Sequence, residues 1–370
     1  MHVLRSSKLR CDMDAPEVWG GVECTVNRVN DTFHDQLQRG GHDRRLSDLD
    51  SIAQLGIRRL RYPVLWESTA PRALDEPDWR WADERLGRLR ELDIDPIVGL
   101  MHHGSGPRYT HLLDPRFPEL FAEYAGAVAA RYPWIERYIP INEPLTTARF
   151  SALYGIWYPH CRDARSFTHA VINQCRAVVL AMRAVRRVNP NAQLIQTDDV
   201  GYTTSTAHLA YQARFDNERR WLAWDLLCGK FDPRRRLWKY LRASGATEAQ
   251  LMFFTESTCP PEVIGVNHYV TCDRHLSEHL HLYAPHTWGG NGKQAYADVE
   301  AVRAVPGTIS GLKGALRDTW DRYRLPIAIT EVHLGCTPEE QLRWLREAWT
   351  DTLQLRASGM DPRAMTIWRC

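Results

Sequence analysis

One feature constrains this chain more than any other: short β-branched or apolar runs alternate with longer stretches whose apolar residues recur at helical spacing. Candidate strands fall at 18–21, 57–63, 95–101, 138–142, 193–196, 263–267, 326–330 and 364–368. Helical patterns lie between them at 46–55, 81–92, 120–132, 167–188, 219–228 and 339–355. Strands that alternate with helices imply a parallel sheet, and eight is the number that closes into a (β/α)8 barrel. Breakers sit where helix gives way to strand, at Gly56-Ile57 and Asn189-Pro190-Asn191. A barrel of this type takes about 250 residues and grows by loop insertion. The 370 residues hold no linker rich in Pro, Gly or Ser and no further repeat, so residues 1–370 are expected to form a single barrel domain. The eighth run meets the end of the sequence at Cys370, so the barrel is expected to be incomplete at its last helix.

Composition removes several function classes. A net charge of +2 gives no reason to expect nucleic acid or an anionic membrane as partner. The first ten residues carry no apolar run long enough for a signal peptide, and no later run reaches the roughly 20 residues a spanning helix needs. Nine cysteines are scattered without a C-x-x-C, which points to a reducing cytoplasm rather than a disulfide framework or zinc site.

In a parallel barrel the carboxyl ends of the strands converge on one face, and there the chemistry-bearing residues of this chain collect. Strand two ends in Tyr62-Pro63-Val64-Leu65-Trp66, strand three in His102-His103, strand four in Asn142-Glu143-Pro144, strand six in Asn267-His268-Tyr269, and strand seven in Glu331-Val332-His333. Glycosidic cleavage needs one carboxylic acid to protonate the leaving oxygen and a second carboxylate to attack or to activate water. Glu143 and Glu331 supply that pair. A separation of about 5–5.5 Å implies retention of configuration and roughly 6.5–9.5 Å inversion. The acid requires a raised pKa and the nucleophile a lowered one. Arg61 can hold Glu331 ionised, Tyr269 can donate to the same carboxylate, and Asn142 can bond a sugar hydroxyl.

The order of these landmarks resembles the family 1 glycoside hydrolases of β-glucosidase type, in a divergent bacterial branch. Val18-Trp19-Gly20-Gly21 resembles the opening strand, and Leu60-Arg61-Tyr62 to Trp66 the strand with the active-site arginine. Pro96 to His102 resembles the strand ending in a sugar-binding histidine, and Ile141-Asn142-Glu143-Pro144 the acid/base motif. Tyr154-Gly155 to Tyr158-Pro159 resembles the following loop. Gly265 to Tyr269 and Pro326 to Glu331 resemble the tyrosine and nucleophile strands. The resemblance implies Glu143 as acid/base, Glu331 as nucleophile, and Arg61 and Tyr269 as its partners. It implies His102 and Asn142 as ligands of the sugar beside the scissile bond, and it sets Asn27 where the family has a sugar-binding glutamine. Asn267 and Trp66, at pocket-side strand ends, join them as candidate substrate-binding residues. No cofactor or metal is implied, and the expected partner is a carbohydrate or glycoside.

The departures are specific. Val332-His333 follow Glu331 where the family has Asn-Gly, and His103-Gly104 follow His102 where it has an aromatic residue and Asp. The family's loop after strand eight, with its sugar-gripping glutamate and tryptophan, would begin beyond Cys370. The reaction class is therefore carried further than the identity of the sugar.

Each residue also has a plainer explanation. Glu before Pro suits the first turn of a helix, and Glu331 can be a simple ion-pair partner of Arg61. Adjacent His102 and His103 on a strand point to opposite faces, which argues against a shared metal. Among the tryptophans, Trp66 and Trp157 are best placed to stack on a sugar, Asp198-Asp199 reads as hydrogen-bonding support, and Arg234-Arg235-Arg236 as a solvated face. Two alternatives remain beside hydrolysis: a transglycosidase using the same intermediate, and a catalytically silent sugar-binding or scaffold barrel.

Overall fold

A computed structural model describes residues 15–304 and 309–369; Cys11, Cys370 and the first ten residues fall outside them. Eight parallel strands form a closed barrel: Glu17–Gly21 (strand one), Arg59–Pro63 (two), Asp95–His102 (three), Arg137–Asn142 (four), Gln193–Asp199 (five), Val263–Asn267 (six), Ile327–Val332 (seven) and Pro362–Trp368 (eight). Each pairs with its sequence neighbours, and strand eight closes on strand one with Gly21 opposite Trp368. The (β/α)8 expectation holds. Gly21 is where the closure needs a residue without a side chain, because a Cβ there would lie 2.4 Å from Cε3 of Trp368.

The floor of the barrel is an apolar layer of Trp19, Ile97, Ile139, Ile195, Val263, Ala328 and Ala364, drawn from seven of the eight strands. Burying each large member contributes about 1.5–3 kcal/mol, and together they plug the barrel below the carboxyl ends. The outer helices form where the apolar spacing predicts them. Asp163 caps the longest, Ala164–Val188, by accepting from the Ser166 amide at 2.8 Å. Pro338–Ala357 opens on a reciprocal Thr337–Glu340 capping box. The helix expected at 219–228 is the shorter Leu222–Leu227, and a further helix, Ala210–Arg219, precedes it. Gly311–Tyr323, which the sequence pattern did not yield, lays Leu312, Ala315 and Leu316 against Ile327 and Ile329 of strand seven.

Two additions escape the alternation altogether. A hairpin, Val26–Val29 with Thr32–Asp35, follows strand one. A four-stranded sheet of Thr203–Ser205, Arg274–Ser277, Trp288–Gly290 and Ala295–Glu300 is assembled from the excursions after strands five and six. Both border the carboxyl-end face, where Asn27, Arg274 and Asp298 look onto one cavity. Among the described residues no helix is long and apolar enough to cross a membrane.

Candidate active site

Strand four ends at Asn142 and a short helix, Pro144–Ala148, begins at once. Glu143 between them adopts φ 47° and ψ 62°, the left-handed region, and its side chain makes no capping bond to the helix. That conformation costs a residue with a Cβ about 1–2 kcal/mol. A helix-opening glutamate has no use for it. The strained backbone instead turns the carboxylate toward Asn267, whose Nδ2 donates to Oε1 at 2.6 Å.

Glu331 is aimed by a different device. The registers of strand seven with strands six and eight both slip after Ile329, and the bulge re-aims the side chain. Arg61 Nη1 then donates to Glu331 Oε1 at 3.2 Å and also to the Thr330 carbonyl, while the Tyr269 hydroxyl donates to Oε2. Arg61 and Glu331 are only 4% and 3% exposed.

Asn142 ties these groups together from beneath. Its Oδ1 accepts from Arg61 Nη2 at 3.0 Å, Thr197 Oγ1 at 2.7 Å and Asn267 Nδ2 at 3.4 Å. Its amide nitrogen faces the Nε2 atoms of His102 at 3.1 Å and His103 at 3.4 Å. An amide nitrogen only donates, so both rings accept there and carry their protons on Nδ1. Burial holds both imidazoles below their ordinary range, in keeping with that neutral form.

A cavity of about 610 Å³ opens above this network, faced by Glu143, Glu331, Tyr269, His102 and Asn27 among others. Arg61, Asn142 and Asn267 lie buried in the shell under it. Trp66 is not brought to the cavity. It is fully buried against Phe117, Phe121 and Tyr124, and its indole N–H donates to the Tyr109 hydroxyl at 2.9 Å. Trp157 does face the cavity, whereas Trp288 lies exposed on the small sheet.

The electrostatics depart from the expected split. Burial pushes both carboxyl groups up, to about 7 each, so Glu331 is not lowered outright. Arg61 and the Tyr269 hydroxyl favour the Glu331 anion, whereas Asp199 opposes the Glu143 anion and Asn267, Thr146 and Arg149 favour it. The Glu143 charge in turn opposes ionisation of Glu331.

Several residues in or beside the cavity are placed otherwise than the sequence suggested, or were not singled out by it. The two histidines do not point to opposite faces: strand three ends at His102, and His103 takes a left-handed φ of 55° that returns its ring to the same cavity. His103 Nε2 comes within 3.9 Å of Glu143 Oε2, and Nδ1 bonds Thr147 Oγ1 at 3.1 Å. Trp368 stacks on His102 with centroids 5.4 Å apart, and the Arg61 guanidinium lies 4.3 Å from its ring centre. An aromatic residue at the carboxyl end of a barrel strand was the available clue. Arg149 and Asp199 form an ion pair of 3.3 Å on the cavity wall. Asp198, by contrast, is buried and accepts from the Leu145 and Asp199 amides, which makes it a brace for the loop carrying Glu143. Among the described residues no cluster of three or more His, Cys, Asp or Glu side chains is arranged to hold a metal ion.

No protein-family model matches the chain. It is 23% identical over 193 residues to β-glucosidase A of Thermotoga maritima, a match covering 50% of this chain and 43% of that protein. It is 22% identical over 288 residues to β-glucosidase 34 of Oryza sativa subsp. japonica, covering 70% and 56% respectively. The chain spans about half the length of the curated relatives it matches. The Thermotoga maritima family 1 β-glucosidase structure superposes with a TM-score of 0.72 at 17% identity, covering 95% of this chain and 88% of that one. Its complex with deoxynojirimycin gives the same score at 16% identity and the same coverage. At such identities the structural likeness is one of fold.

Proposed function

We propose, for a chain whose sequence and fold resemble those of the family 1 β-glucosidases, that it is a retaining β-glycosidase acting as one barrel domain. The observation that carries this is the setting of Glu331, held by Arg61 on one oxygen and Tyr269 on the other, at the cavity that Glu143 also faces. In the first step Glu331 attacks the anomeric carbon while Glu143 gives its proton to the departing oxygen; the glycosidic bond breaks and a glycosyl ester forms. In the second step Glu143, now a carboxylate, takes a proton from water as the water oxygen attacks the same carbon and releases Glu331. The two carboxyl groups complete the proton balance, and no metal or organic cofactor enters the scheme.

His102 and Asn27 supply hydrogen bonds to the sugar from the cavity wall, while the Asn142 amide, spent on Arg61, Thr197, Asn267 and the two histidines, positions those groups from below. Asn267 steadies Glu143. The seven described cysteines are all unpaired, which supports a cytoplasmic setting.

A mechanism-based 2-fluoroglycoside tests the proposal. Intact-mass and peptide analysis should find one sugar esterified to Glu331. Stoichiometric sugar binding without an adduct would instead identify a silent sugar-binding barrel. With Glu331→Gly, azide should restore turnover of an aryl β-glycoside and yield the inverted glycosyl azide. Product analysis with an added alcohol separates hydrolysis from transfer.

A further inference from the structure

Strand four leads into Glu143 and strand eight ends at Trp368, four places away in a ring of eight, so the two ends stand on opposite sides of the barrel mouth. A departing group must take its proton from Glu143. The ring that stays on Glu331 therefore faces the other wall, built where strands eight and one end. Glu23, two residues past strand one, and Arg369, next after Trp368, stand on that wall. They do not close it. Together with Gln36 they also border a second cavity of about 550 Å³, whose further lining includes Arg39, His42, Arg45 and Asp48. The side of the site that holds the retained sugar thus continues into a side chamber.

The chamber is cationic, and its charge is only partly engaged. Three guanidinium groups line it against two carboxylates. Asp48 is taken by Arg45 at 3.1 Å and by His42 at 2.9 Å. Glu23 accepts from the Thr25 amide at 3.0 Å and the Trp368 indole at 3.3 Å, and Arg369 Nε stays 3.8 Å from it, beyond hydrogen-bond reach. Arg39 is exposed on the short helix Gln36–Gly40, and among the described residues its side chain has no ion pair or hydrogen bond. The Gln36 side-chain amide has none either. These groups are accessible, with the Arg369 side chain 48% exposed. Arg369 is also placed rather than trailing: its backbone takes a left-handed φ of 67° and donates to the Gly21 carbonyl at 3.0 Å. By contrast, Arg220 and Arg322 in the pocket of the outer helices are paired with Asp318 and Asp225.

Glu23 offsets one of the three guanidinium charges and Asp48 another, so the chamber keeps one positive charge in surplus, and Arg39 carries it. A neutral sugar has nothing to set against that charge. We propose that the chamber receives an acidic group carried by the retained sugar, on its side away from the scissile bond, and that Arg39 and Arg369 recognise it. The substrate is then a β-glycoside whose retained sugar bears a carboxylate or a phosphate or sulfate ester. Each of these presents two or more oxygens in the geometry that the forked N–H groups of a guanidinium bind. This rests on the β-glycosidase function proposed above and names its substrate class.

The test compares 4-nitrophenyl β-glucoside with its 6-phosphate, its 6-sulfate and the matching β-glucuronide, and repeats the set in the galacto configuration. All share one leaving group, so the demand on Glu143 is constant. At least one acidic glycoside should exceed its neutral parent in kcat/KM by about 10-fold or more, the gain expected of a hydrogen bond between charged groups. Which of them does so separates carboxylate from phosphate and sulfate. Arg39→Gln and Arg369→Gln should each lower kcat/KM for that substrate by about 10-fold, chiefly through KM, and change the neutral parent far less. Arg39→Lys should keep most of the preference, and Arg39→Glu should reverse it. A wild-type protein that prefers the neutral parent to every acidic form would overturn the proposal. So would equal losses on acidic and neutral substrates in both glutamine variants. If no glycoside of either kind is turned over and no adduct forms at Glu331, the glycosidase function itself fails. That outcome is distinct from a labelled, active protein that is indifferent to the charge of the sugar.

Discussion

Asn267 joins the two carboxylate-bearing strand ends: its Nδ2 donates to Glu143 Oε1 at 2.6 Å while its Oδ1 accepts from Thr330 Oγ1, also at 2.6 Å. Thr330 is the residue before Glu331, so one buried amide fixes both strand ends. Asn267→Ala removes a bond that favours the Glu143 anion. The alkaline limb of kcat/KM should therefore move above its starting value near pH 7. The unpaired Thr330 hydroxyl should cost about 1–3 kcal/mol in urea unfolding. An unmoved limb would mean that the amide does not act on Glu143.

Arg61→Ala should be the most damaging single change in the shell beneath the cavity. Removing one partner of a buried ion pair leaves the other uncompensated and costs about 3–5 kcal/mol. Glu331, already held up near 7 by burial, should then stay protonated through neutral pH and cease to attack. Label incorporation from a 2-fluoroglycoside, followed against pH, reads this directly. An adduct forming at the wild-type rate at pH 6 would exclude the role.

Stability should fall as pH rises through the range set by the two carboxyl groups. Both ionise near 4.5 in the unfolded chain and near 7 in the fold, so between those values the folded state binds more protons. Their contribution is fully present below about 4.5 and lost as pH climbs through about 7. Glu143→Gln cannot ionise and should escape its share. Its advantage over wild type should grow between pH 5 and pH 8 by on the order of 1–3 kcal/mol, measured by chemical denaturation.

Trp66→Ala should behave as a core mutation. Emptying that site among Phe117, Phe121 and Tyr124 should cost about 3–5 kcal/mol in unfolding free energy. KM of the protein that remains folded should not change. A raised KM without loss of stability would return Trp66 to the substrate.

The barrel was legible because its strands are buried on both faces and read as unbroken apolar runs. All eight appear where the sequence sets them, although strand five continues to Asp199. Glu143, Glu331, Arg61 and Tyr269 were legible as a group because parallel closure brings strand ends together whatever their distance along the chain. What escaped depends on backbone geometry or on short elements. Strand alternation sends His103 away from His102, and only the positive φ at His103 undoes that. Trp66 fails as a pocket residue for a related reason: the chain turns into the helix Trp66–Thr69 as the strand ends and carries the ring inward. The small sheet is built from strands of three to six residues, too brief for their spacing to register. Asp199 was legible as hydrogen-bonding support beside strand five, but its partner Arg149 carries no signal until folding sets the two against each other.

The meeting of Arg61 with strands seven and eight also orders events in time. The guanidinium bonds a carboxylate 270 positions away and lies over Trp368, so its compensating partners dock only when the ring of strands shuts. Contacts of such long separation form late, because chain entropy is lost before they can repay it. An unfinished barrel thus leaves the Arg61 charge with the Asn142 amide but without a carboxylate to offset it, an arrangement that favours either full closure or reopening. Formation of the Arg61–Glu331 pair and completion of the scaffold are therefore one transition.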